Sequence, residues 1–169
     1  MFFPIPVGNF MGLTLKTKAM KRYEGMNLGG VKSILLAELS KVTVPQKENL
    51  GFSDLMVLEG YEWMEVPFTL ETAFWSENEK RDFRGIFYEK ELEFSIPAIR
   101  EEICALFSEF QGRRLIALVT DRNGHSRLLF PLVPETRLNV PGPVSGYNGY
   151  RFRLEGRSAV SAPGIDLDS

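Results

Sequence analysis

The stretch 85–112, GIFYEKELEFSIPAIREEICALFSEFQG, decides how this chain reads. Ile86, Tyr88, Lys90, Leu92, Phe94 and Ile96 fall on one face of an extended segment. Phe87, Glu89, Glu91, Glu93 and Ser95 fall on the other. A polar row opposite a largely apolar one predicts a strand with one face buried and one in water. Pro97 then opens a helix predicted over 97–111. Proline is tolerated in a first turn, and Glu101 and Glu102 sit where the helix dipole favours negative charge. Ile99, Ile103, Leu106, Phe107 and Phe110 make one apolar stripe, expected to pack on the face that carries Leu92, Phe94 and Ile96. Gly112 is the natural stop.

Outward from this centre the chain reads as strands. Residues 115–120 (LIALVT) form a buried strand. Asp121, Arg122, Asn123 and Gly124 form a hairpin turn, because Asn-Gly readily takes positive φ angles, and 128–133 returns. The Pro- and Gly-rich segment 134–149 reads as a loop, and Tyr150, Phe152 and Leu154 mark a last strand. Upstream, 31–39 reads as a buried strand or a short helix, and Ile34, Leu35 and Leu36 in succession favour the strand, buried on both faces. Residues 55–66 read as two short strands with a turn at Glu59-Gly60, and Phe68, Leu70, Thr72 and Phe74 as a half-buried strand. The run 76–85, SENEKRDFRG, reads as a charged loop. The fold class expected is mainly β with one main α-helix (α+β), an antiparallel barrel or sandwich. Three parts are expected: an N-terminal arm (1–30), a β-rich structural domain (31–156), and a small polar tail (157–169) that frays. The arm has no periodic face. A chain start at Met20 or Met26 is the competing reading of it.

Composition narrows the function. An apolar fraction of 44% with 13 Phe residues supports a packed core in a chain of 169 residues. A net charge of −2 gives no global basic field for nucleic acid. The single cysteine, Cys104, excludes an intramolecular disulfide and suits a reducing compartment. The apolar residues of 1–11 precede Lys16, Lys18, Lys21 and Arg22, the wrong order for a secretory signal. No apolar run approaches the roughly 18 residues of a membrane helix.

Chemistry-bearing groups are sparse. His125, the only histidine, follows the hairpin turn and reads as an exposed turn residue. A base or a metal ligand needs partners of a kind this chain does not supply. Cys104 adjoins the helix stripe and reads as a small, partly buried residue. Glu89, Glu91 and Glu93, and Glu77, Glu79 and Asp82, are acidic groupings. Such carboxylates suit acid–base work or a hard cation, but period-two glutamates equally describe a solvent-facing strand. Arg113, Arg114, Arg122 and Arg127 make a basic patch without the aromatics of a single-strand stacking platform. No catalytic residue, cofactor or metal site is assigned, and a non-enzymatic protein is expected.

Residues 91–130, ELEFSIPAIREEICALFSEFQGRRLIALVTDRNGHSRLLF, and 150–158, YRFRLEGRS, resemble structural proteins of tailed bacteriophages and prophages. The likeness is to those of Bacteroidetes-type hosts and to the tail-tube kind in particular. The shared features are a strand ending in Ile-Pro, a single helix, a strand with Thr-Asp-x-Asn-Gly, and a last strand ending near Glu-Gly. They cover less than half of the chain. The resemblance implies a β-barrel or sandwich with one flanking helix. It also implies a self-assembling virion subunit forming a ring or tube, partnered by other virion tail proteins and assembled in the bacterial host cytoplasm. No membrane and no sequence-specific nucleic acid are expected as partners. The arm and the 76–85 loop are the expected contacts between copies. Two alternatives stand beside this reading. One is a monomeric bacterial β-rich module for a ligand or peptide. The other is a metal-dependent hydrolase using the glutamate row.

Overall fold

The computed structural model describes residues 26–47, 50–140, 146 and 148–168. The part of the expected arm at 1–25 lies outside them.

Strand β8 (Leu115–Asp121) is the middle of the fold. Its run of apolar residues is continuous because both faces are covered. Leu115, Ala117 and Val119 enter one core, and Ile116 and Leu118 enter another. β8 pairs antiparallel with β1 (Val31–Glu38) and with the first half of β9 (Ser126–Asn139). β5 (Met64–Glu65) lies on the far side of β1. β11 (Gly164–Asp166) pairs with the start of β9, and β3 (Leu50–Gly51) runs parallel to β11. The short pair β2 (Val42–Thr43) and β4 (Met56–Val57) caps the second core, with Val42, Leu50, Leu55 and Ile165 buried there.

β9 then changes sheet. Leu132 pairs with Leu115 and Leu129 with Ala117, so Phe130 and Pro131 oppose a single β8 residue in a bulge. A bulge is where a proline costs no ladder hydrogen bond. Beyond it, 133–139 pairs with β10 (Gly149–Ser158). β10 pairs with β7 (Gly85–Pro97), and β6 (Phe74–Asp82) is the outer strand of this second sheet. The segment 66–72 spans the gap between the sheets. Val66 N–H donates to Ile34 O at 3.0 Å, and Thr69 N–H donates to Ser95 O at 2.8 Å. Single bonds stitch the edges there, and no ladder among the described residues closes a barrel. Among the described residues the architecture is thus mainly β, antiparallel apart from the β3–β11 pair, with one α-helix, α1 (Glu101–Phe110), as the sequence predicts.

The helix stripe packs where expected. Ile103, Phe107 and Phe110 share a core with Leu92, Phe94 and Ile96. Phe152 lies at its centre, its ring 3.6 Å from that of Phe107 and 5.1 Å from that of Phe94. The Phe94–Phe152 pair, at a separation that suits offset stacking, adds to the area term.

Five details differ from the sequence reading. The helix starts at Glu101, not Pro97. Pro97 is still in register with Gly149, and Ala98 has φ +62°, which no helix continues through. Ile99 is therefore outside the stripe and 42% exposed. The charged run 76–85 is not a loop: 76–82 is β6, which forms a hairpin with β7 through a turn at Phe83-Arg84. Residues 78–86 are all exposed, so no apolar alternation marks the strand. Of the expected strand at 68–74, 68–73 is instead an irregular segment, turned at Leu70-Glu71 with Glu71 at φ +67°, and only Phe74 is strand, as the first residue of β6. The expected loop from 134 begins as strand and continues so to Asn139. The tail does not fray: β10 reaches Ser158, and Ala162 and Ile165 are buried.

Gly156 makes the sheet change possible. A Cβ built there would lie 1.7 Å from the Pro131 carbonyl oxygen. Gly156→Ala should therefore lower stability by at least about 1–3 kcal/mol, as overpacking against backbone does. Denaturant unfolding measures this, and a neutral result would mean that the two strands separate without cost.

Candidate functional site

Three groups of side chains stand out, and all involve the β6–β7 hairpin. The first is the outer face of the second sheet. Glu89, Glu91 and Glu93 line β7, and β10 places arginines beside them by register. Arg157 reaches Glu89 at 2.8 Å. Arg153 reaches Glu91 at 2.8 Å, Glu93 at 3.4 Å and Glu155 at 2.7 Å. The glutamate row is thus largely neutralised within the chain. It borders an open hollow of about 570 Å³ that also meets Glu135 and Asn78. These exposed pairs contribute little to stability singly, and chiefly fix the arrangement of charge.

The second group is buried. Lys90 lies directly opposite Glu77 in the hairpin register, and its side chain is 1% exposed. Nζ donates to Phe130 O at 3.1 Å, Ser158 Oγ at 2.9 Å and Val160 O at 2.9 Å. An ammonium has three protons, and each is used. The Glu77 carboxylate lies 3.9 Å away, and accepts at 2.6 Å from Ser161 Oγ and from Ala162 N–H. Burial pushes the Lys90 ammonium below its ordinary range, and Glu77 opposes that shift. Lysine and glutamate together fasten the turn between β10 and β11. A lysine held by three acceptors is a fastener and a poor nucleophile.

The third group is the hairpin tip. Phe83 is 90% exposed and Ile86 44%. The Arg84 guanidinium lies 5.0 Å from the Phe83 ring centre, a cation–π arrangement. Asp82 Oδ1 accepts from Arg84 N–H at 2.7 Å, and Gly85 takes φ +125°, so the turn is well defined.

The residues singled out from sequence fall apart in space. His125 is exposed, and its backbone N–H donates to Asp121 Oδ1 at 2.8 Å. Asn123 N–H donates to the same oxygen at 2.8 Å. Burial pushes the Asp121 carboxyl up, but these hydrogen bonds outweigh it and leave the group below its usual range. Cys104 is exposed on α1, not partly buried, and its Sγ meets Tyr150 Oη. That bond raises the Tyr150 hydroxyl. The four arginines make no common patch: Arg113 pairs with Glu38 at 2.5 Å, and Arg127 donates to Ala162 O at 3.1 Å. Among the described residues no three His, Cys, Asp or Glu side chains gather to hold a metal. No described helix is long and apolar enough to cross a membrane. The sequence reading passed over Lys90 and Phe83. A lysine within an apolar row, and a phenylalanine within a charged run, were the available signals.

Two outcomes follow. Lys90→Met should destabilise by roughly 3–5 kcal/mol, the cost of breaking a buried pair. It should also speed hydrogen exchange at Leu128, whose N–H donates to Pro163 O. Unchanged exchange there would show that the lysine does not hold the tail. Asp121, with its folded value depressed, contributes stability above its unfolded value of about 3.9 and loses it as pH falls through the lower folded one. The stability gap between wild type and Asp121→Asn should therefore shrink below about pH 3.9 in acid unfolding. A gap independent of pH would refute the role given to the turn.

No family model matches this chain, and neither a curated protein nor a solved structure matches it.

Proposed function

We propose that this chain is a self-assembling structural subunit of a phage or prophage virion, of the tail-tube or tail-associated kind. The observation that carries the reading is the β6–β7 hairpin. A hairpin whose outer part, 78–86, is exposed on both faces stabilises no core of its own. Its exposed apolar residues at the tip suit burial against another molecule. β6 also leaves an outer strand edge without a ladder partner among the described residues. The resemblance of 91–130 and 150–158 to tail-tube proteins supports the same reading and makes the neighbour a like subunit. The contacts expected of the arm at 1–25 lie outside the described residues. The monomeric binding-module alternative would be favoured by a deep apolar pocket, whereas the hollow of about 570 Å³ beside β7 is open and lined largely by charged side chains.

The purified full chain should show concentration-dependent oligomers by size-exclusion light scattering, with rings or short tubes in negative stain. Its peptides should be found by mass spectrometry in particles released by a host carrying the gene. A chain that stays monomeric at high concentration and is missing from such particles would overturn the proposal.

A further inference from the structure

A hollow of about 320 Å³ opens between α1 and β5, and no residue of the hairpin lines it. Its floor is apolar: Leu36, Met64, Leu106 and Phe110. Its rim carries Glu62 and Glu109, exposed carboxylates that form no ion pair among the described residues. The hairpin tip presents the opposite character. Phe83 projects into solvent, and Arg81 and Arg84 flank it, likewise without ion pairs among the described residues. We infer that the Phe83 tip of one copy plugs the α1–β5 hollow of the next, joining copies head to tail.

Size, charge and geometry each support this. A cavity of roughly 150 Å³ lined by apolar side chains holds a benzene ring, so this hollow has room for a phenyl group and the stem of an adjacent arginine. An aromatic anchor with arginine beside it is the usual composition of an interface hot spot. Cations around the knob meet carboxylates around the socket, which fixes the register. One chain does not plug itself. The tip lies at the start of β7 and α1 follows its end, and thirteen strand residues span ~40 Å. β5 leads through 66–73 into the start of β6, and the tip lies beyond the other end of that strand, at Phe83. Knob and socket are different patches, so the contact is heterologous and generates rings or filaments.

This inference rests on the self-assembly reading, and the test separates the two. Two full-length variants are made: Phe83→Asp, which removes the knob, and Glu62→Lys with Glu109→Lys, which reverses the socket rim. All these positions are exposed, so circular dichroism and thermal unfolding should match wild type. Each variant alone should self-associate at least tenfold more weakly by light scattering. Mixed, they should form a one-to-one heterodimer and nothing larger, because one knob and one socket survive. If wild type oligomerises and either variant does so equally well, the knob-and-socket contact is wrong and self-assembly stands. If both variants are weakened but the mixture stays monomeric, the contact is not head to tail and the inference also fails. If wild type is monomeric at every concentration, the self-assembly reading falls, and this inference with it.

Discussion

The fold turns on a close approach of two backbones. Where β9 leaves one sheet for the other, the Pro131 carbonyl occupies the space that a side chain on residue 156 would need. Only glycine admits that contact, and the bulge at Phe130-Pro131 frees the strand from β8 at the same level. From this follow the two sheets sharing one strand, the core between them, and the place of α1 above Phe152. It also brings the Phe130 carbonyl within reach of Lys90.

Charge is used in two ways on the same hairpin. On the outer face, arginines of β10 and glutamates of β7 meet in water, where each pair is worth little and the pattern matters more than the energy. On the inner face, a single lysine is stripped of water, and its cost is offset by three acceptors and a nearby carboxylate. Losing an outer pair changes a surface. Losing the inner one leaves two backbone carbonyls, of Phe130 and Val160, without their buried donor.

What the sequence disclosed follows from where side chains lie. β7 and β8 were legible because one and two faces respectively are buried, and burial writes a period. The Asn123-Gly124 turn was legible because few residues accept its backbone. β6 was not, because its outer half meets solvent on both faces and polar residues carry no period there. Pro97 was misleading: the same ring that suits a first helical turn also ends a strand, and the left-handed Ala98 leaves no local mark. The tail was misread because its order comes from Lys90 and Glu77, distant residues that composition does not link to it. Of the candidate site, the hairpin was located but its form was not. The hollow between α1 and β5 joins segments that only the fold brings together.

The position of β11 has a bearing on how the protein is made. β3 is synthesised well before its strand partner β11, which lies far along the chain. Ile165 is part of the core that Val42, Leu50 and Leu55 begin. That layer therefore stays open until synthesis of the strand is finished, while β8 and the hairpins pair as they emerge. A product lacking β11 keeps every acceptor of Lys90 but leaves the apolar side chains of Val42, Leu50 and Leu55 without Ile165 over them, an exposed patch of the kind that makes unfinished chains prone to aggregate.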